Sequence, residues 1–187
     1  MLKKYFRAGI CIGFTSIKLY FMKIFHTSNL NFKIPHLISP KVVIEMGRNS
    51  KLNLQKMVRA RSGSKLCVRS GAELSIGYNT GFNHGCLVIS HQKIDIGKNC
   101  QFGPNVLIYD HDHDFRNPDG IKALKYKTAP VIIGDNVWIG ANTVILRGTV
   151  IGDNTVIGAG SVIKGTFPKD SIVVQKRENQ IISYQIN

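Results

Sequence analysis

The densest set of reactive side chains lies in residues 109–114, which read Tyr-Asp-His-Asp-His-Asp. Imidazoles and carboxylates at this spacing suit two kinds of chemistry. They can hold a metal ion through nitrogen and oxygen ligands. Alternatively, an imidazole beside a carboxylate can accept a proton near neutral pH. A polar surface loop without any chemistry is the third interpretation, and these six residues alone leave all three open.

Metal binding is the less favoured of the two chemistries. Successive side chains alternate between faces in an extended segment, so His111 and His113 share a face only if the backbone is extended. No further histidine or cysteine follows at a typical ligand spacing, although His84 and His91 can approach in space. We therefore predict no metal ligands, and His111 and His113 remain competing candidates for a general base.

A six-residue repeat reveals the elements that must position this segment. Isoleucine recurs at every sixth position of the C-terminal half, at Ile133, Ile139, Ile145, Ile151, Ile157 and Ile163. A period of six fits neither an α-helix nor a hairpin protein. It is typical of a parallel β-helix in which three hexads form one coil of roughly 18 residues.

The repeat predicts which side chains stack. Residues one coil apart should form apolar ladders that join Ile133 to Ile151, Ile139 to Ile157 and Ile145 to Ile163. Glycine follows four of these isoleucines, at Gly134, Gly140, Gly152 and Gly158. We expect these glycines to adopt corner backbone angles that a Cβ atom would penalise.

Two parts of the chain depart from the repeat. Residues 52–68 and 82–94 are less regular, so we expect distorted coils there. Residues 109–130 break the repeat and contain two prolines and an Asp-Gly pair. These residues are predicted to protrude as a loop, and loops on rigid scaffolds commonly carry function.

Composition narrows the classes of partner. The 187 residues suggest one domain, and 25 Lys and Arg against 11 Asp and Glu give a net charge of +14. Such a charge favours anionic partners, but no nucleic-acid recognition motif is present and we expect no nucleic acid. The four cysteines form no CxxC pair, which favours reduced thiols in a cytoplasm.

The first 25 residues contain no acidic residue and predict a basic amphipathic helix. At helical spacing Lys3, Arg7 and Lys18 lie within about 60° of one another. Only ten uncharged residues separate Arg7 from Lys18, too few to span a bilayer, and no signal-peptide cleavage site follows. The alternatives are peripheral association with an anionic membrane surface, packing against the protein's own domain or a neighbouring subunit, and, least favoured, a cleaved or spanning segment.

Three motifs carry a resemblance to a known family. They are FNHGC at 82–86, IGKNCQFGPNVLIYDHDH at 96–113, and VIIGDNVWIGANTVILRGTVIGDNTVIGAGSVI at 131–163. Together they resemble the hexapeptide-repeat acetyltransferases, with maltose, galactoside and capsular-polysaccharide O-acetyltransferases as the nearest groups. The resemblance implies an all-β, left-handed parallel β-helix. We place this domain at 40–175, after an N-terminal segment at 1–30 and before a tail at 176–187.

The resemblance also implies residue roles. His113 closes the family's IYxxxH stretch and becomes the implied general base, ahead of its competitor His111. Asn83 would hold the acceptor hydroxyl, with His111 and Asp112 also on the substrate side. The implied contacts to acetyl-CoA are Trp138, Gly140, Ala141, Gly158, Ala159 and Lys164. The family's VxVGNPA segment after Pro168 is missing, so Lys176 and Arg177 are offered as substitutes for its cofactor contacts.

Taken together, these features predict an acetyl-CoA-dependent O-acetyltransferase that modifies a sugar hydroxyl of a surface polysaccharide or its precursor. N-acetylation of a nucleotide-linked amino sugar and a non-catalytic β-helix binding module are the alternatives. The resemblance further implies a homotrimer with sites between neighbouring coils. We expect it in the cytoplasm, with peripheral association at the inner face of the membrane.

Overall fold

The structure, a computed structural model, describes residues 2–27, 29–176, 178 and 182, without the side chains of residues 2–5 and 7. It begins with one α-helix, α1 (Leu2–Phe25), and continues as a solenoid of short strands. In chain order the strands are β1 (Leu30–Phe32), β2 (Leu37–Ile38), β3 (Val43–Met46), β4 (Lys51–Leu54), β5 (Arg59–Ala60), β6 (Lys65–Val68), β7 (Glu73–Ile76), β8 (Gly81–Phe82), β9 (Leu87–Ser90), β10 (Lys93–Ile96), β11 (Gln101–Phe102), β12 (Leu107–Tyr109), β13 (His111–His113), β14 (Tyr126–Thr128), β15 (Val131–Ile133), β16 (Trp138–Ile139), β17 (Val144–Ile145), β18 (Val150–Ile151), β19 (Val156–Ile157), β20 (Val162–Ile163), β21 (Thr166–Phe167) and β22 (Ile172–Val173).

The strands visit three parallel sheets in strict rotation. Face A is β1-β4-β7-β10-β15-β18-β21, face B is β2-β5-β8-β11-β16-β19-β22, and face C is β3-β6-β9-β12-β17-β20. The turns between successive faces form the AB, BC and CA corners of a triangular solenoid. Strands β13 and β14 stand outside the three faces as an antiparallel pair. The predicted all-β class and left-handed parallel β-helix are confirmed.

The isoleucine ladders are confirmed in register. Ile133 pairs with Ile151, Ile139 with Ile157, and Ile145 with Ile163. All six isoleucines are no more than 3% exposed. Each buried side chain of this size contributes roughly 1.5–3 kcal/mol, so the repeat by itself supplies a continuous apolar core.

The expectation of distorted N-terminal coils is wrong. Leu52 pairs with Leu74 across 22 positions and Ile76 with Ile96 across 20, whereas the C-terminal coils repeat every 18. The longer coils contain strands of four residues that bury alternate side chains. The register of the ladder is therefore kept although the six-residue spacing in the sequence is lost.

The expected role of the repeat glycines is also wrong, since the glycines after the isoleucines do not adopt positive φ. They are required by the close approach of neighbouring coils. A Cβ atom on Gly140 would lie 2.4 Å from the backbone nitrogen of Ala159, and one on Gly152 would lie 2.4 Å from that of Lys169. Real Cβ atoms do not approach backbone so closely.

Asparagine takes the left-handed positions instead. In the last five AB corners one residue has φ between 56° and 60°; these residues are Asn79, Asn99, Asn136, Asn154 and Asp170. Their side chains form a hydrogen-bonded ladder with distances of 2.8–3.1 Å. Asparagine tolerates this backbone region better than other residues that carry a Cβ, and its amide both donates and accepts along the stack.

Helix α1 packs one face on the first coil. Leu19 is fully buried in the core, and Thr15 Oγ1 donates to the Ile38 carbonyl at 2.9 Å. Lys18 Nζ donates to the Val42 carbonyl at 2.9 Å. The helix is confirmed, but Lys18 faces the solenoid and does not belong to an outward basic stripe. The side chains of Lys3 and Arg7 lie outside the described residues.

By length and composition, the window Ala8–Phe25 could cross a membrane. The sequence does not predict a spanning helix there, because Lys18 interrupts the apolar run.

The parallel strands begin at Leu30, before the position 40 given for the start of the β-helix domain, and the last strand ends at Val173. The four cysteines are free thiols.

Candidate active site

The candidate catalytic segment leaves the solenoid at the CA corner, directly after β12. It extends as β13 and returns as β14, with Gly120–Ala123 forming a short 3-10 helix between them. Pairing across this hairpin sets His111 opposite Thr128 and His113 opposite Tyr126. The predicted protruding loop is confirmed, and so is the extended backbone that places both histidines on one face. The antiparallel pairing was not predicted.

The two carboxylates that flank His113 in the sequence, Asp112 and Asp114, are engaged elsewhere. Asp112 Oδ2 accepts from Arg147 Nε at 2.5 Å, and Asp114 Oδ1 pairs with Lys127 Nζ at 3.1 Å. His113 is exposed, and its ring lies 4.8 Å from the ring of Tyr126. Both ion pairs therefore hold the hairpin in place, and the imidazole of His113 faces outward.

A fully buried carboxylate lies at the base of the hairpin. Asp110 accepts hydrogen bonds from Ser90 Oγ at 2.8 Å and from the backbone amides of His91 at 2.7 Å and Gln92 at 2.8 Å. His111 Nδ1 lies 3.3 Å from Asp110 Oδ1. Asp110 therefore joins the start of the hairpin to the preceding coil and orients the His111 ring.

Burial and hydrogen bonding act in opposite directions on Asp110. Burial alone would raise the pKa of this carboxyl, but the donors from His111, His91, Gln92 and Ser90 outweigh it and hold the pKa below its usual value. Asp110 is therefore an anion at neutral pH. Burial, reinforced by the charge of His111, lowers the pKa of His91 to about 4, so His91 is neutral there.

Tyr126 brings three imidazoles into one cluster. Its ring centroid lies 4.2 Å from that of His91, 5.4 Å from that of His111 and 4.8 Å from that of His113. His91 also stacks on His111 at 3.8 Å. Neither Tyr126 nor Arg147 is predicted from the sequence, because Tyr126 meets His113 only through the pairing of β13 with β14, and Arg147 meets Asp112 only through a contact between coils. His91 lies beside the hairpin histidines, an approach that the sequence analysis leaves open.

Asn83 lies at a different corner, BC, directly after β8. Its side-chain oxygen accepts from the His84 amide at 2.9 Å, and its carbonyl accepts from Ser64 Oγ at 2.8 Å. His84 bonds Ser62 there at 2.9 Å and does not approach the hairpin histidines. Asn83 lines a groove of about 790 Å³ between α1 and face B, which also contains Arg59 and Arg61.

The residues expected to contact acetyl-CoA are divided between the BC corner, face B and the CA corner. Gly140, Ala141, Gly158 and Ala159 stack in successive coils at the BC corner, where Gly103 and Gly140 let the backbones approach closely. Trp138 begins strand β16 on face B and is 58% exposed. Lys164 is exposed at the CA corner, on the side of the hairpin.

The chain after Pro168 follows the solenoid instead of the missing family segment. Strand β22 extends face B, and the Gln175 side chain caps Val162 with two hydrogen bonds, one at 3.0 Å to its amide and one at 2.7 Å to its carbonyl. Lys176 is exposed, and Arg177 lies outside the described residues.

The predicted site residues therefore form two groups in one chain. His111, Asp112, His113 and Lys164 belong to the CA corner, and the remaining residues belong to face B and the BC corner, with face C between them. In the described part of the chain, no group of three or more His, Cys, Asp or Glu side chains is placed to hold a metal ion.

The coils beside the hairpin match a known repeat family. Residues 130–165 match the family described as "Bacterial transferase hexapeptide (six repeats)". These residues form strands β15 to β20 and carry the isoleucine ladders. Residues 130–165 of the chain are hexapeptide repeats of this family. This finding confirms the resemblance that the motifs carry.

Solved structures extend the similarity beyond the repeat. A maltose O-acetyltransferase from Clostridium difficile 630 is 30% identical, with 75% of this chain and 64% of that chain covered at a TM-score of 0.51. A hexapeptide-repeat acetyltransferase from Vibrio cholerae O1 biovar eltor, complexed with acetyl coenzyme A, is 26% identical, with 68% and 64% covered at a TM-score of 0.50.

Curated relatives are similar over shorter spans. WbbJ of Escherichia coli K12, named for O-acetyl transfer in lipopolysaccharide biosynthesis, is 25% identical over 103 residues, which are 51% of this chain and 53% of WbbJ. The chain spans between 39% and 57% of the length of the first curated relatives that it matches.

Proposed function

We propose that this hexapeptide-repeat protein is an acetyl-CoA-dependent O-acetyltransferase that acts on a sugar hydroxyl of a surface polysaccharide or its precursor. The observation that carries the proposal is His113, an exposed imidazole held on a braced hairpin beside the matched repeats. A general base needs this combination of access and fixed position. The relatives named for acetyl transfer to maltose and in lipopolysaccharide biosynthesis support the acceptor class.

The acyl donor suits the surface of the C-terminal coils. The BC corner offers small residues at Gly140, Ala141, Gly158 and Ala159, where a chain-like pantetheine arm can lie close to the backbone. Trp138 presents an exposed indole for packing, and Lys164, from the CA corner of a neighbouring subunit, offers a cation for the phosphates. The Vibrio cholerae acetyltransferase with acetyl coenzyme A supports this choice of donor.

The reaction proceeds by direct transfer. The acceptor oxygen attacks the thioester carbonyl, the new C–O bond replaces the C–S bond, and His113 takes the hydroxyl proton and returns it to the leaving thiolate. His113 donates no electrons to carbon, so no acyl-enzyme forms. Asp110 and the His91–His111 stack support the hairpin from below, and Asn83 orients the acceptor.

The acceptor groove favours an anionic glycan. Arg59 and Arg61 line it together with Asn83, and no acidic side chain is among its lining residues. Because Asn83 and His113 lie at different corners of one chain, the reaction requires the base of one subunit beside the asparagine of another. We therefore propose a homotrimer as the active form.

The test is transfer of labelled acetyl groups from acetyl-CoA to candidate glycans. Because positioned base catalysis contributes about 10²–10⁴ in rate, His113→Ala should lower kcat by that factor while acetyl-CoA binding persists. His26→Ala, which removes a histidine at the end of α1, is the matched control and should retain full activity. Full activity in His113→Ala would refute the mechanism. Selective loss in His111→Ala instead would transfer the role of base to His111.

A further inference from the structure

Helix α1 presents an unbroken apolar stripe to solvent. The stripe consists of Phe6, Ile10, Phe14, Ile17, Phe21 and Ile24, whose exposed fractions range from 45% to 73%. At 100° per residue these six side chains lie within an arc of about 80°, along a helix about 36 Å long. Contiguous exposed apolar surface of this size marks an interaction site rather than ordinary protein surface.

The opposite face of the helix is fixed to the solenoid. Leu19 is fully buried in the core, and Thr15 and Lys18 donate to the carbonyls of Ile38 and Val42 at 2.9 Å each. The apolar stripe points away from these contacts, so the protein's own first coil does not cover it.

Positive charge is concentrated in the part of the chain that carries the helix. Residues 1–60 contain 11 Lys and Arg and a single acidic residue, Glu45, whereas the rest of the chain contains 14 and 10. Lys33 and Lys41 are exposed on the first coil, on which the helix packs, and Lys51 and Lys56 are exposed on the second coil. Apolar surface flanked by unbalanced cations is complementary to an anionic bilayer, which offers hydrocarbon below a layer of negative headgroups.

From these observations we infer that α1 binds an anionic membrane surface, with its axis parallel to the bilayer and the apolar stripe inserted below the headgroups. Packing of the stripe of one copy on that of another is a poorer alternative, because two segments with 11 Lys and Arg and one acidic residue each would offer one another almost no charge pairing. A spanning helix is also poorer, because it would withdraw Leu19 from the core and break the Thr15 and Lys18 hydrogen bonds. The inference goes beyond the proposed activity and does not depend on acetyl transfer.

Flotation of the full chain with vesicles tests the inference. Binding to vesicles that contain phosphatidylglycerol should exceed binding to pure phosphatidylcholine, and salt should weaken it. Ile17→Glu should lower the partition coefficient by roughly tenfold or more, because one large apolar side chain is no longer buried. Ile172→Glu is the matched control: Ile17 is 73% exposed and Ile172 is 77% exposed, so neither change should lower the melting temperature.

The alternatives to membrane-surface binding predict different outcomes of these experiments. Equal flotation of Ile17→Glu and Ile172→Glu would overturn the inference. A fall in oligomeric mass in Ile17→Glu, without loss of flotation, would show that a second copy covers the stripe and would also overturn it. Protection of only the N-terminal end of α1 from external protease in sealed vesicles would show a spanning helix and would also overturn the inference.

Discussion

Among single residues, His36 shows how a buried titratable group makes this fold sensitive to acid. It is fully buried at the start of the face B ladder, in the place that Val58 takes one coil later, and neither ring nitrogen has a hydrogen-bond partner among the described residues. Burial lowers the pKa of His36 from 6.5 to about 4. The folded chain therefore holds His36 neutral where the unfolded chain takes up a proton.

The free energy of unfolding should consequently depend on pH in a definite window. The stabilising effect of a neutral His36 is complete above pH 6.5 and is lost as the pH falls from 6.5 towards 4, by up to about 3 kcal/mol. His36→Val should remove that part of the acid sensitivity. Urea unfolding of both proteins at about pH 7.5 and about pH 5 measures it; an unchanged difference would contradict the prediction. His91 keeps its own acid sensitivity in both proteins and cancels in the comparison.

At the scale of elements, coil spacing depends on glycines that no backbone angle requires. Gly152→Ala should destabilise the protein by about 1–3 kcal/mol, because its Cβ would meet the backbone nitrogen of Lys169. Gly13→Ala is the control on helix α1, where an added Cβ meets nothing within 4 Å. It should stabilise the helix by about 0.5–1 kcal/mol. Thermal unfolding should move in opposite directions, and a harmless Gly152→Ala would refute the close-approach argument.

At the scale of the whole molecule, the proposed site joins His113 of one subunit to Asn83 of another, so we expect an active unit larger than one chain. His113→Ala and Asn83→Ala should each be inactive alone. Co-expressed in equal amounts, they should recover about a quarter of wild-type activity, since random mixing leaves about that fraction of interfaces with both residues intact. Light scattering should give about three times the chain mass of 20.8 kDa. No recovery on mixing would contradict a site between subunits.

Sequence alone determined the solenoid, because inward side chains must recur once per hexad wherever coils stack. The ladders from Ile133 to Ile163 were therefore predictable to the pair, as was the protrusion of 109–130. The regular pairing of the N-terminal coils was not predictable, because strands of four residues lengthen the coil without disturbing the alternation of buried and exposed side chains. The pairing of Leu52 with Leu74 shows this. Sequence periodicity detects a constant spacing between stacked residues, but it misses strands that stay in register while that spacing changes.

Only the tertiary structure decided how the candidate site is held and where the helix faces. Asp110 joins the base of the hairpin to Ser90 of the preceding coil, Arg147 holds Asp112 from the following coil, and Tyr126 packs on His113 across the strand pair. Local spacing does not encode such contacts. The pattern of α1 showed that the helix is amphipathic, but a side chain such as Lys18 can point to solvent or to a carbonyl. That choice depends on which surface the helix meets, and so does the exposure of the opposite apolar stripe.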